Sequence, residues 1–224
     1  MKNIAGYIRN ERGNVTILSI SFFFVIMLIL FMALFNLSTV FAFKEQASNG
    51  AQQAALAAIK PVYDEMEIAI RRYDTAPGRY YDERYIWPAL ELAESSIRAS
   101  HWDWAQSEVR YAAIDQVLGN WLPANPELLG YVIDGLTSAQ AEIPGVVAKI
   151  LNDNHATVSG SIVVIFNAEQ RVEVQTSARF RSTTFDFPFM PDPQHEEEVY
   201  QTAQSRQIGF LDAVGGWGSI SLTL

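Results

Sequence analysis

Residues able to do acid–base, nucleophilic or metal chemistry are present in this chain, but at spacings that give them no partners. The three histidines, His101, His155 and His195, form no HExxH motif and no pair four residues apart, so a helical zinc site has no support. His195-Glu196-Glu197-Glu198, with Asp192 close by, could offer oxygens to a cation, although such a charge run is usually a solvated loop. No GxSxG, SxxK or Walker A pattern occurs, and Ser95, Ser96 and Ser205 have no recognisable activating base. Gly215, Gly216 and Gly218 flank Trp217 as a turn, with no helix after them to complete a phosphate cradle. Asp82-Glu83 and the Glu91/Glu94 pair read as solvated carboxylates. His101-Trp102-Asp103-Trp104 could stack a carbohydrate, although tryptophans more often anchor a core or an interface. The chain has no cysteine, which removes disulfides, thiolate metal sites and a thiol nucleophile. No basic patch interleaved with aromatics stands out, and the net charge is −9, so nucleic acid is not an expected partner. The expectation is a protein that is not an enzyme and uses neither cofactor nor metal.

The elements that would have to position such residues are unevenly built. Only 18% of the 224 residues are charged, where about 25% is usual for a soluble domain. The shortfall sits in one place. Val15 to Phe43 is a run of 29 residues without a charge, carrying Phe22, Phe23, Phe24, Ile26, Leu28, Leu30, Phe35 and Phe41. A helix needs roughly 20 apolar residues to cross a hydrocarbon core of about 30 Å, so this run predicts a transmembrane helix in contact with membrane lipid. Asn36, Ser38 and Thr39 place its last turns at or beyond the interface, and tilt can absorb the rest of the excess. A cleavable signal with a site at Val40-Phe41-Ala42 is the alternative. Its apolar region would be about twice the usual 7–15 residues, which favours a retained anchor.

Charge orients the helix. Lys2, Arg9 and Arg12 precede the run, opposed only by Glu11, whereas the sequence after Lys44 carries 12 Lys and Arg against 24 Asp and Glu. The positive-inside rule then places the N-terminus in the cytoplasm and the remainder outside, with the protein in the cytoplasmic membrane.

Helical sequence continues past the run. Residues 46–58 are rich in Ala and Gln, with Gly50 as the weak point. Leu56, Ile59, Tyr63, Met66, Ile70 and Tyr73 are then spaced 3, 4, 3, 4, 3, a single stripe along one helix face. That stripe packs either on the chain's own domain or, through Leu56, Ile59, Tyr63 and Met66, on a partner helix. Pro61 demands a kink or a fresh helix start.

Two short patterns flank the apolar helix. Arg12-Gly13 stands just before it, and Gln46, Asn49, Ala54, Ala55, Leu56 and Ala57 stand just after it. Together they resemble the N-terminal segment of the TadE/TadG-like proteins of tight-adherence (Flp-type) pilus loci, over roughly residues 9–60. Gln52 stands where that family often has Asp. Prepilins and pseudopilins are cut after a Gly and carry a Glu five residues on; here Leu18 holds that place, so the resemblance implies an uncleaved, pseudopilin-like anchor. It also implies a structural component of a pilus assembly or secretion system in a bacterial membrane, with other pilus or assembly subunits as partners. An anchored extracytoplasmic ligand-binding or sensory domain is the alternative, and a cell-surface enzyme a weaker one.

The remaining sequence predicts an α+β fold: a long N-terminal transmembrane helix extending into an exported domain with several helices and a small antiparallel sheet. The expected segments are a cytoplasmic tail 1–14, the membrane helix 15–43, an amphipathic helix 44–73, a helical region 74–155 and a β region 156–224. Within them, 74–90 reads as a loop and 89–118 as helical with a break near Ser100-His101. A helix over 127–141 is broken by Ile143-Pro144-Gly145, with a short one after it. Residues 158–166 and 171–180 read as strands joined by a turn at 167–170, then Glu197 to Phe210 as a third strand and Ser219 to Leu224 as a fourth.

Overall fold

A computed structural model describes residues 11–77, 85–181, 197–215 and 217–224, with the side chains of 11–14 left aside. Lys2, Arg9, Asp82, Glu83, Asp192, His195, Glu196 and Gly216 lie outside the described residues. So does the side chain of Arg12, next to Gly13.

The chain is α+β. Helix α1 (Glu11–Ala58) is followed by α2 (Lys60–Asp74), α3 (Trp87–Ser100), α4 (Gln106–Trp121) and α5 (Pro126–Asp153). Strands β1 (Thr157–Ile165), β2 (Glu173–Phe180) and β3 (Glu197–Gln204) come next, then the short α6 (Leu211–Val214) and strand β4 (Ile220–Thr223). The four strands form one sheet in the order β3-β2-β1-β4, with β1 antiparallel to both β2 and β4. The backbone divides into two units: Met1–Phe43 with Arg179–Val199, and Lys44–Ala178 with Tyr200–Leu224.

Helices α2, α3 and α5 each start for an identifiable reason. Pro61 lies in the first turn of α2, where its missing N–H has no helical acceptor to lose. Asp74, the last residue of α2, accepts hydrogen bonds from the backbone N–H groups of Ile86 (2.9 Å) and Trp87 (2.8 Å), so one carboxylate caps the start of α3. Asn125 caps α5 by accepting from the N–H of Leu128 at 3.2 Å. The core joins the buried face of α2 (Val62, Tyr63, Met66, Ile70, Tyr73) to α5 (Leu128, Val132, Leu136, Ile143, Val147, Leu151) and to Val163, Ile165, Val172 and Val174 of the sheet region. Gly135 lets α2 and α5 close up: a Cβ there would stand 2.9 Å from Met66 Cε and 3.2 Å from the carbonyl oxygen of Glu65. Arg110 of α4 ties three helices, meeting Glu67 of α2 at 2.6 Å and Glu94 of α3 at 2.8 Å.

Along the strand expected at 171–180 one face is buried as alternation requires, but Ser177, on the opposite face, is buried as well. Val172, Val174, Thr176, Ala178 and Phe180 are all buried. Two expectations are corrected. The helix expected to end at Ile143-Pro144-Gly145 continues, and α5 runs through Pro144 to Asp153. A proline inside a helix costs about 3 kcal/mol or more, but ending α5 there would undock Val147 and Leu151. Both are fully buried, and each is worth roughly 1.5–3 kcal/mol of burial. The third strand, expected to reach Phe210, stops at Gln204. Ser205 closes it, with its N–H donating to Val172 O (2.8 Å) and its Oγ accepting from Val172 N (2.9 Å).

What diverts the chain after Ser205 is Asp115 on α4. Its carboxylate accepts from Tyr63 Oη (3.0 Å), Arg206 Nη2 (2.9 Å) and the N–H groups of Gly209 (3.0 Å) and Phe210 (3.4 Å). Tyr63 stacks on Tyr111 with centroids 4.1 Å apart, and the Arg206 guanidinium lies 5.7 Å from the Tyr63 ring. Burial pushes the Asp115 carboxyl above its ordinary 3.8, against the opposing pull of Arg206 and the donated hydrogen bonds. Burial, then the Asp115 charge, pushes the Tyr63 hydroxyl up, so it stays protonated and donating.

Because the folded value of Asp115 is raised, its ionisation is costlier in the folded chain. The stability linked to it is full below 3.8 and lost as pH rises through the folded value. Carboxyl-detected NMR should find its titration midpoint above 3.8, and a midpoint at or below that would show that the four donors outweigh burial. Asp115→Ala should cost about 2–4 kcal/mol in thermal or denaturant unfolding, because it strands Arg206 and two backbone N–H groups.

Candidate functional site

The segment with functional character is α1, whose side chains change chemistry along its length. Between Val15 and Phe43 the apolar groups face outward. Val15, Phe22, Phe23, Phe24, Ile26, Leu30, Phe35 and Phe41 are exposed and Leu28 is half-buried, while Met32 is covered. A helix buried in the core of a soluble fold would be mostly covered, whereas only 6% of the most apolar window here is buried. Soluble monomers rarely leave more than a few hundred Å² of contiguous apolar surface in water. By length and composition this helix can cross a membrane. The polar groups within the run are quietened locally: Thr39 Oγ1 donates to the carbonyl of Phe35 at 2.9 Å, one turn back.

From Lys44 onward, in the second unit, one face of α1 is built of small residues. Ala47, Gly50, Ala51, Ala54, Ala55 and Ala58 are all buried. This face lies against the end of α5 and the start of the sheet, and Gly50 sets the distance. A Cβ on Gly50 would stand 2.9 Å from the Ala156 Cβ, with Asn154 Cβ and Leu151 Cδ2 each at 3.8 Å. Gln46 fastens the same junction. Its Nε2 donates to the carbonyl oxygens of His155 (2.8 Å) and Asn154 (3.5 Å), just past the last turn of α5. The residue that looked like a weakness in the helix is therefore where its backbone approaches the domain too closely to admit a Cβ without movement.

The opposite face of this stretch is open. Glu45, Asn49, Gln52, Gln53, Leu56 and Lys60 are exposed, and Ala57 is half-buried. Gln52 Nε2 reaches back to Ser48 Oγ at 3.0 Å, and Lys60 pairs with Asp64 one turn on, an ion pair that raises the Lys60 ammonium above its ordinary value. Leu56 is 57% exposed, a large apolar side chain in a polar stripe.

The four residues considered for contact with a partner helix thus separate. Ile59, Tyr63 and Met66 are core residues of the second unit, with 4% exposure or less. Ile59 stands between α1 and α2 as the N-cap of α2, and the other two pack within α2. Leu56 alone among them is at the surface. The stripe of period 3.5 could not reveal this, because a core face and an interface face carry the same spacing.

Other residues weighed in the sequence are engaged by neighbours or exposed. His101 lies against Trp104 with centroids 4.1 Å apart and planes tilted by 35°, and Trp102 is 88% exposed on the turn between α3 and α4. Glu94 is engaged by Arg110, and Glu91 accepts from Trp87 Nε1 at 2.8 Å. Sequence reasoning missed Asp115, whose partners lie on α2 and after β3 and leave no local signature.

Comparison with known proteins places a name on the same segment. Residues 13–60 match the family model described as putative Flp pilus-assembly TadE/G-like. No curated protein and no solved structure matches the chain. The matched range takes in the apolar run, Gln46, Gly50 and the small-residue face, and it ends at the first residue of α2.

The close approach at Gly50 gives a contrast that can be measured. Gly50→Val should destabilise the second unit by about 1–3 kcal/mol, since neither α5 nor β1 can yield freely. Gly130→Ala, in α5 with open space around its Cα, should instead stabilise by about 0.5–1 kcal/mol. Thermal unfolding of the full chain in lipid nanodiscs, followed by circular dichroism, checks both signs.

Proposed function

We propose that this chain is a bitopic, membrane-anchored structural component of a Flp/Tad-type pilus assembly or secretion system. It acts through protein–protein contacts and performs no catalysis. The observation that carries this reading is that one helix, α1, holds both an outward-facing apolar stretch and the segment that matches the pilus-assembly family.

In this reading Val15 to Phe41 lie in lipid. Lys2, Arg9 and Arg12 hold the N-terminus on the cytoplasmic side of the cytoplasmic membrane, because moving that cluster through the bilayer is costly and the acidic remainder has no matching cost. The domain from Lys44 onward then stands outside. Pilus or assembly subunits are met on the open face of α1 by Asn49, Gln52, Gln53 and Leu56, next to the bilayer. The inner face, with Gly50 and Gln46, keeps that helix tied to the domain so that a partner meets a fixed surface. Such preorganisation lowers the ordering cost of each contact.

The absence of native cysteine makes the topology directly testable. Single cysteines at Asn3 and at the exposed Ser138 should behave oppositely towards a membrane-impermeant maleimide. The one at 138 labels in spheroplasts and the one at 3 labels only after lysis; the reverse pattern would overturn the orientation. For the contact face, Leu56→Arg should leave insertion and folding intact and reduce co-purification of pilus-assembly subunits about tenfold, the loss of one well-placed apolar contact. Undiminished co-purification would remove this face from the proposal.

A further inference from the structure

A cavity of about 330 Å³ lies in the second unit, away from α1, between the β1–β2 turn and the segment that follows α6. Its walls include Phe166, Asn167, Gln170, Asp212, Trp217 and Ser219. The turn wall is held in an unusual backbone conformation. Phe166 (φ 55°) and Gln170 (φ 58°) both occupy the left-handed region, where residues with a Cβ, and bulky ones above all, are seldom found. Such conformations persist only where the surroundings over-determine them, and they cluster at ligand sites. Here the determinants are visible. Asn167 Oδ1 accepts from the N–H groups of Glu169 and Arg171, each at 3.0 Å, and Asn167 Nδ2 donates to Glu173 Oε2 at 3.3 Å. Gln170 Nε2 donates to Asp212 Oδ1, and Gln170 Oε1 accepts from Gln207 at 3.2 Å. The turn, and through it Asp212, is fixed before any ligand arrives.

The chemistry left over for a ligand is specific. The half-buried Trp217 is held edge-to-face on Phe166, with centroids 6.5 Å apart and planes at 67°. Asp212 keeps its second oxygen, Oδ2, without a donor among the described residues, and the Ser219 hydroxyl is likewise uncommitted among them. Among the described residues no Lys, Arg or His lines the cavity. An acceptor carboxylate with no cation beside it turns away anions. An ammonium would satisfy the carboxylate and the ring but leave the hydroxyl and most of the space unused. A sugar ring uses all three: its C–H face lies on the indole, one hydroxyl donates to Asp212 and another exchanges a hydrogen bond with Ser219. The volume falls at the lower end of the roughly 300–1,000 Å³ typical of small-molecule sites. We infer that this cavity binds a neutral mono- or disaccharide, with Trp217 as the stacking platform and Asp212 and Ser219 as the hydroxyl partners.

The test uses the full chain in lipid nanodiscs, free of glycoside detergents. The probes are glucose, N-acetylglucosamine, maltose, lactose and diacetylchitobiose, read by saturation-transfer NMR and titration calorimetry, with tetramethylammonium as the cationic comparison. At least one saccharide should bind saturably at millimolar concentration. Trp217→Ala and Asp212→Ala should each weaken it about tenfold or more, the loss of a platform or of one charge-assisted hydrogen bond. Trp217 packs on Phe166, so its removal can disturb the turn. Asp212 is exposed, and its variant, with an unchanged melting curve, carries the test. Trp102→Ala, on the α3–α4 turn, should bind as the native chain does. Absence of saturable binding by every saccharide overturns the inference. So does equal affinity in Asp212→Ala, loss of binding in Trp102→Ala, or binding of tetramethylammonium alone.

Discussion

A helix that is apolar on all sides in one half and docked on a protein in the other must change its surface without changing its backbone. In α1 the change is made by side-chain size. The first half carries Phe, Leu, Ile and Met, which are stable facing lipid or another apolar medium and costly facing water. The second half replaces them on one face with Ala and a single Gly. Small residues bury little apolar area each, so docking by this face depends on closeness, which adds dispersion contacts between backbones. Gly50 allows a close approach that a Cβ would obstruct, and Gln46 adds the directional bond that large apolar groups cannot. Everything after Asn154 starts from that junction, because β1 begins three residues on.

A second constraint closes the other end of the chain. The sheet has a strand contributed from the far C-terminus beside β1, and the segment between β3 and β4 has to be returned across α4. No disulfide is available to hold it. Asp115 does so with four donors from α2 and from residues 206–210. The arrangement is a compromise: partial burial disfavours the charge, and the donors are what make a half-buried carboxylate tolerable. With Phe210 and Leu211 then buried against the helices, α6 is in place, and with it Asp212 and the stretch leading to Trp217.

The parts of this structure legible in the sequence were those governed by local periodicity or local stereochemistry. The uncharged run from Val15, the alternation from Val172 to Phe180 and the restart forced by Pro61 all depend on residues within a few positions of each other. Pro144 was misleading for the opposite reason. Its local cost is real, but α5 stays buried on both sides of it, from Leu128 to Leu151, and the distant partners outweigh it. Gly50 was misread in the same way, as a weak helix former, when its neighbours Leu151 and Ala156 lie about a hundred residues away in sequence. Asp115 carried no signal at all, since a carboxylate on an amphipathic helix looks solvated until its long-range donors are known. The stripe from Leu56 to Tyr73 was visible, yet its meaning divided across the α1–α2 junction: Leu56 outward, Ile59 and Tyr63 inward.

That division bears on how strong a contact at α1 has to be. On the proposed reading, partner and anchor share one membrane, which confines both to a thin layer and aligns their juxtamembrane faces. Confinement acts as effective concentration, so a second contact forms with little further translational cost. A narrow stripe of Asn49, Gln52, Gln53 and Leu56 can then suffice where a soluble complex would need a standard interface of about 1,600 Å². It also explains a polar stripe with one apolar residue in place of a hydrophobic seam. A continuous apolar face next to the bilayer would bind lipid or a second copy of itself indiscriminately, whereas side-chain amides demand a partner whose hydrogen-bonding groups are in register.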